Sequence, residues 1–501
     1  MQLSRLLPAT ALSLLIGVGC GHKPDTYDDD DGPELTESFW KGAVTLPGDM
    51  RLELMVHLIP GDDGAMSGTI TIPAQGVEDA PLADVTDDGA AIGFTLAVPL
   101  APAVFSAERD ASGARADGVL QQGGQTLPLH LEATTPEAIA EAGLKRPQTP
   151  RPPFPYASRD ASWDNAADGV TLAGTLTYPE GGGRHPAVLL ITGSGQQDRD
   201  ETIFEHKPFL VLADALTRRG FAVLRVDDRG VGGSSKGEQP VTIQSNLRDA
   251  LASSAWLAAQ PEVDPARVGL IGHSEGGILV ALAAAAEPER FAFAVSLAGT
   301  GVRGDALLAM QVAAINRANG VPDERSESDV ATLKGLTSLV IEGADEAALR
   351  AALEAATRES LERGDEDVKA VVEKTGFDAL VAEQLARFTD PWLTSFIRLD
   401  PTNAWRKVRC PVLALNGEKD RQVPPEENLG GIREALTAGG NADITLETLP
   451  GLNHLFQTAE TGAPGEYVQI EETMAPAALT RIGDWLTAKA SLAEPGDAPG
   501  E

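Results

Sequence analysis

Short runs of alternating apolar and polar residues fill the chain from about residue 35 to residue 132. The clearest are RLELMVHLI at 51–59, GTITI at 68–72, AIGFTLAV at 91–98 and TLPLHL at 126–131, with Gly, Asp and Pro between them. A period of two lays one apolar face along a strand. Residues 35–135 are therefore expected to form a small antiparallel β domain, either a sandwich or a barrel. His57 and His130 fall inside these runs as ordinary strand residues.

Beyond residue 160 the rhythm changes. Apolar runs of strand length occur at 171–178, 187–192, 221–226, 268–271, 291–297, 412–415 and 444–449, and helical periodicity appears at 207–219, 245–259 and 277–286. Strands without polar alternate positions are buried on both faces. Their alternation with helices predicts an α/β fold over residues 161–490, a doubly wound, mostly parallel sheet. The interval 302–407 is too long for a connection, and Ala-, Leu- and Glu-rich stretches such as 345–361 predict helices forming a cap over the sheet. Substrate choice is expected to reside in that cap. Its aromatics Phe388, Trp392, Phe396 and Trp405 are candidates for pocket lining, against ordinary core packing. Between the two patterns, Pro147, Pro150, Pro152, Pro153 and Pro155 mark a semi-rigid linker at 143–160, with the boundary near 150. No internal repeat is present.

The first residues carry one positive charge and then an apolar stretch reaching Val18, the pattern of an export signal. Gly19-Cys20-Gly21 follows and resembles a bacterial lipoprotein processing site. Residues 1–20 are thus expected to be a signal segment with Cys20 lipidated, which places the protein in the cell envelope, periplasmic or at the outer surface. Ordinary secretion and an unmodified cysteine are the alternatives. An acidic tether at 21–34 and a flexible tail at 491–501 complete the organisation. The chain has 501 residues, and its 40 basic and 74 acidic residues leave a net charge of -34, which argues against nucleic-acid binding. Any membrane association would come through the lipid anchor alone. Cys410 is the second of two cysteines, so no disulfide framework is expected. No metal motif and no cofactor motif is present, and nothing sets an oligomeric state.

The chemistry centres on Gly272-His273-Ser274-Glu275-Gly276, between the apolar run ending at Ile271 and the small-residue run 277–286. Strand, glycine-flanked serine and helix describe a nucleophile elbow. In that architecture the order is serine, acid, histidine, and His454 is the only histidine after Ser274. His454 is therefore the expected general base. Asp420, at the end of Cys410-Pro-Val-Leu-Ala-Leu-Asn-Gly-Glu-Lys-Asp420, is the expected acid, with Glu418 as its rival. Backbone N–H groups of Glu275 and, from the loop Gly193-Ser194-Gly195-Gln196, of Ser194 are the expected oxyanion donors. That loop lacks the third glycine of a dinucleotide fingerprint and the lysine of a P-loop. Asp227-Asp-Arg-Gly-Val-Gly-Gly-Ser-Ser235 is read as bracing neighbouring loops, with contact of its Asp and Arg to substrate as the alternative. Gln197-Asp-Arg-Asp-Glu201 is read either as shaping the substrate pocket or as a salt-bridged loop.

The runs Ile191-Thr-Gly-Ser-Gly-Gln-Gln-Asp-Arg-Asp-Glu201, Lys207-Pro-Phe-Leu-Val-Leu-Ala-Asp214 and Val223-Leu-Arg-Val-Asp-Asp-Arg-Gly-Val-Gly-Gly-Ser234, with the elbow, resemble the α/β-hydrolase superfamily over residues 160–490. More narrowly they resemble bacterial serine esterases related to the acyl-peptidase and serine-aminopeptidase branches. The resemblance implies a triad of Ser274, Asp420 and His454 acting on a small-molecule ester. Thr192-Gly193 stands where many relatives carry His-Gly. A carboxylesterase for short-chain esters is expected, with a peptidase or amidase using the same triad as the alternative. A different class would be an envelope-binding lipoprotein with a non-catalytic hydrolase scaffold.

Overall fold

A computed structural model describes residues 37–45, 51–61, 65–72, 77–97, 102–122, 125–142 and 145–492. Cys20, the signal segment and the acidic tether lie outside these residues, as does the tail from 493. The chain divides between Lys145 and Arg146 into two compact units.

The first unit is a closed antiparallel barrel whose eight strands pair in sequence order, with β8 returning to β1. They are β1 (Ser38–Thr45), β2 (Arg51–Pro60), β3 (Met66–Ile72), β4 (Val77–Asp87), β5 (Ala91–Leu96), β6 (Ala103–Arg109), β7 (Arg115–Gln122) and β8 (Gln125–Ala133). Alternation fills the interior: Leu54, Val56 and Leu58 of β2 meet Ile92, Phe94 and Leu96 of β5 in one core, where Phe94 stacks on Phe105 at 4.7 Å. Each fully buried side chain of this kind contributes roughly 1.5–3 kcal/mol. Closure leaves no free sheet edge, which settles the sandwich-or-barrel alternative. Four strands had no clear signature: β4 carries Asp and Pro, β7 is mostly polar, and β1 and β6 are short mixed runs. Their pairing comes from neighbours on both sides.

The second unit holds an eight-stranded sheet in the order β16-β15-β14-β13-β11-β12-β10-β9. The strands are β9 (Tyr156–Asn165), β10 (Val170–Pro179), β11 (His185–Ile191), β12 (Ala222–Val226), β13 (Val263–His273), β14 (Ala294–Leu297), β15 (Val412–Gly417) and β16 (Ile444–Leu449). β10 runs antiparallel to both β9 and β12, and the other pairs are parallel. Alternate strand residues feed two cores. Val188, Leu190, Ile271 and Leu413 face the helices Pro208–Arg218 and Pro476–Leu492, while Leu189, Ile191, Leu270 and Val412 face Ile243–Ala258, Glu275–Ala286 and Pro425–Ala438. This is the α/β-hydrolase fold, doubly wound as expected.

Two boundaries differ from expectation. Residues 156–160, assigned to the linker, form the first half of β9, which pairs with β10 along its whole length. The prolines just before it masked a strand whose apolar positions are few. At the other end the last helix runs to Leu492, so residues 491 and 492 are not tail. The cap region contains the helices Gly304–Ala318, Asp323–Glu342, Glu346–Glu362, Glu366–Thr375, Phe377–Phe388, Pro391–Ile397 and Thr402–Trp405. Among the described residues no helix is long and apolar enough to cross a membrane.

Candidate active site

Ser274 follows the last residue of β13 with φ 53° and ψ −114°, and the next residue opens the helix Glu275–Ala286. A non-glycine residue held there costs about 1–3 kcal/mol, which the surroundings must offset. The surroundings do so by contact: Ser274 N donates to Leu297 O of β14 at 2.8 Å. A Cβ at Gly272 would lie 2.0 Å from Gly276 O, and one at Gly276 would lie 2.1 Å from Ile191 O. Glycine at both places is thus required by the turn's closeness to the helix and to β11.

Asp420 and His454 arrive from the loops after β15 and β16. Both are buried, and His454 Nδ1 donates to Asp420 Oδ2 at 2.8 Å. The other oxygen, Oδ1, accepts the backbone N–H groups of Gln422 and Val423, each at 2.8 Å. An acceptor-only carboxylate fixes the proton on Nδ1 and leaves Nε2 as the basic atom. Burial pulls the His454 imidazole below its ordinary pKa, with Asp420 acting in the opposite direction and His273 in the same one. Glu418 is engaged elsewhere, accepting Gly451 N at 2.8 Å. His454 sits against the residue that precedes the serine: its carbonyl accepts His273 Nε2 at 3.0 Å and the two rings lie 4.8 Å apart. The Ser274 hydroxyl makes no hydrogen bond among the described residues; contacts between nucleophile and base are often long until substrate binds.

The loop after β11 is tied down on both sides. Gly193 N donates to Glu201 Oε1 at 2.7 Å, Gln197 N to Asp228 Oδ2 at 2.9 Å, and Thr192 Oγ1 to Asp228 Oδ1 at 2.8 Å. Burial pushes the Asp228 carboxyl up to about 8. Ser194 N has no partner among the described residues, and Glu275 N is at the first helical position, where no intrahelical partner exists. Ser194, Ser274 and Glu275 line one narrow cavity of about 20 Å³, walled by Ile278, Val423 and, from the cap, Leu307, Gln311 and Phe396.

The charged loops brace. Arg199 joins Asp227 at 2.6 Å and Asp160 at 2.9 Å, Arg225 pairs with Asp200, and Arg229 joins Asp249 at 2.6 Å and Asp168 at 2.7 Å. Gln197 to Glu201 is therefore a salt-bridged loop. Of the cap aromatics, Phe388 and Trp405 are core residues, Trp405 also donating to Thr300 O at 3.2 Å. Phe396 reaches the cavity.

Two features were missed from sequence. The first is the side chain of Glu275, buried between Asn246 Nδ2 at 3.0 Å and Trp392 Nε1 at 2.7 Å. Burial raises its carboxyl to about 7. An acid amid Ile271, Gly277 and Ile278 was the available signal. Asn246 is placed by a helix whose start is fixed by a capping box between Thr242 and Ser245. Trp392 is placed by a short helix capped by Asp390, on which it stacks with Phe396 one turn later. The second is the pair His273 and Glu201, 2.9 Å apart. Among the described residues no cluster of His, Cys, Asp and Glu is spaced to hold a metal ion. Cys410 is free and buried, which pushes its thiol up to about 12.

Esterase EstD of Thermotoga maritima is 27% identical to the chain over 308 residues, covering 60% of this chain and 61% of its own length. The chain thus spans less than two thirds of that relative. An uncharacterized 31.7 kDa protein from the traX-finO intergenic region of Escherichia coli is 27% identical over 54% of this chain and 85% of its own. The crystal structure of the α/β hydrolase GrgF from Penicillium sp. sh18 superposes on 67% of this chain and 99% of its own, with a TM-score of 0.41 at 19% identity. The X-Pro dipeptidyl-peptidase family (S15 family) matches residues 168–438, more than half of the chain, over β10 to β15 and the cap. With an eight-stranded sheet of this order and a serine at the turn after β13, the chain belongs to that family.

Proposed function

We propose that the protein is a carboxylesterase for short-chain esters. The observation that carries this is His454, bound through Nδ1 to a buried Asp420 and packed on the strand end that presents Ser274 at φ 53°. His454 Nε2 takes the Ser274 proton as Oγ attacks the ester carbonyl, and the N–H groups of Ser194 and Glu275 receive the oxyanion. The imidazolium returns the proton to the departing alkoxide. Water, activated by the same nitrogen, then releases the acid from the acyl-serine. Asp420 holds the Nδ1–H group and so orients the imidazole throughout.

The apolar wall of Ile278, Leu307, Phe396 and Val423 beside Ser274 supports a small apolar acyl group. The family match supports the second reading, a peptidase removing X-Pro dipeptides. Such a substrate presents a free ammonium, and the one carboxyl lining the cavity, Glu275, is already held by Asn246 and Trp392. That favours a neutral ester. Turnover of p-nitrophenyl acetate and butyrate beside X-Pro arylamides decides between them: faster arylamide cleavage would overturn the esterase reading. Labelling by a fluorophosphonate is expected, and its absence would leave the envelope-binding scaffold standing.

Cys20 supports export with a lipid anchor. Cys20→Ala is expected to move the protein from the membrane fraction to the soluble one; unchanged fractionation would rule the anchor out.

A further inference from the structure

We propose that His273 and Glu201 are positioning residues of the site: His273 stands as an imidazolium whose fixed charge keeps His454 in its proton-accepting form, while Glu201 pins the oxyanion loop. The mechanistic half rests on the hydrolase reading above; the charge state does not.

Both ring nitrogens of His273 face acceptors. Nδ1 is 2.9 Å from Glu201 Oε1 and Nε2 is 3.0 Å from the His454 carbonyl oxygen. A carbonyl oxygen has no proton to give, so Nε2 must carry one. A further proton must lie between Nδ1 and Oε1, or two lone pairs would meet in a buried contact. Its place follows from chemistry. A carboxylic acid is the stronger acid, ordinarily near 4.3 against 6.5 for imidazolium. Glu201 Oε1 also accepts Gly193 N at 2.7 Å, which favours the ionised carboxylate. The proton therefore rests on the ring. Consistently, His273 is raised despite burial: burial acts downward, and the Glu201 charge and hydrogen bond outweigh it.

The titratable groups facing His273 are Glu201 from the loop after β11 and His454 and Asp420 from the loops after β15 and β16. Asp228 acts on Glu201 from the loop after β12, and Tyr467, near Asp420, is pushed far up by burial and stays neutral. Only His454 changes its charge during turnover. With ring centres 4.8 Å apart, a standing cation penalises protonated His454 and so favours the free base. The same Glu201 oxygen holds Gly193, next to the expected donor Ser194. One carboxylate thus couples the oxyanion loop, the elbow and the base.

The test uses the full chain labelled with ¹⁵N-histidine, in wild type, Glu201→Gln and His273→Gln. In Glu201→Gln the amide oxygen can take the place of Oε1 before both Gly193 N and Nδ1, so the loop contact survives while the counter-ion is lost. In wild type both His273 nitrogens should read as protonated at pH 7, and in Glu201→Gln one should be bare. The His454 midpoint, read in the same spectra, and the acid limb of kcat/KM should each rise by about one pH unit in both variants. A bare His273 nitrogen in wild type at pH 7 overturns the proposal, as does an unmoved His454 midpoint in both folded variants. A merely structural pair would lower kcat without moving that midpoint. Failure of the hydrolase reading would appear separately, as a wild type inert to ester, arylamide and fluorophosphonate, with the spectra still reporting the charge.

Discussion

Removing the Ser274 hydroxyl leaves the turn intact, because the strained backbone is held by Ser274 N on Leu297 O and by two glycines, not by Oγ. Ser274→Ala is expected to abolish ester turnover and fluorophosphonate labelling with an unchanged thermal midpoint; residual turnover above about one per cent of wild type would rule out this nucleophile. Asp420→Asn tests the acid differently. Asn keeps a carbonyl oxygen for Gln422 N and Val423 N, yet its amide donates toward His454 Nδ1 and favours the wrong tautomer, so kcat should fall about 10⁴-fold. Glu418→Gln should leave kcat within twofold. The base sets the pH profile. As the proposed base His454 works when neutral, and burial, with His273 acting in the same direction, holds its pKa below the ordinary value. The acid limb of kcat/KM should therefore lie below about pH 6.5, the ordinary imidazole value. A limb above about 7 would mean that the Asp420 attraction dominates instead.

Between elements, the bond from Trp392 to Glu275 ties the cap helix Pro391–Ile397 to the helix after the serine. Glu275 has its folded pKa raised to about 7 from an ordinary value of 4.5, so the folded state binds the extra proton between those values. Stability from this group is thus greatest at low pH and declines as pH rises toward 7. Trp392→Phe removes a donor that favours the carboxylate and enlarges that decline. Urea unfolding should show a loss of about 1–3 kcal/mol at about pH 8 and a smaller one at about pH 5.5. Equal losses at both would show that the ring's packing matters and its N–H does not. Phe396, one turn further along, should set acyl size: Phe396→Ala should raise kcat/KM for octanoate relative to acetate esters.

Over the molecule, the division between Lys145 and Arg146 has a practical meaning. Arg146 Nε donates to Phe204 O at 2.9 Å and Arg146 Nη2 to Val468 O at 2.9 Å, while Gln148 Oε1 accepts Met474 N at 3.0 Å. These residues belong to the sheet unit although they precede its first strand. A chain of residues 146–501 should retain ester turnover, whereas one starting at 150 should melt several degrees lower. Equal melting temperatures would show that these bonds contribute little. The barrel, with its own closed hydrogen bonding and core, should fold without the sheet unit.

Much of this was legible as periodicity. The inner strands β11, β12, β14 and β15 are largely apolar runs, the elbow's glycines mark where backbone must pass close, and chain order singled out His454 as the expected base. The barrel showed only half its strands, because Pro, Asp and polar residues interrupt the alternation in β4 and β7, and β9 hid behind prolines.

What local pattern could not supply is partnership across long separations. His273 meets Glu201 at a separation of 72 residues and Trp392 meets Glu275 at 117. Periodicity reports which face of an element is buried, since burial repeats with the backbone's own geometry. A hydrogen bond between buried polar atoms repeats with nothing along the chain; it exists because folding brings two desolvated groups within about 3 Å, where water no longer competes for them.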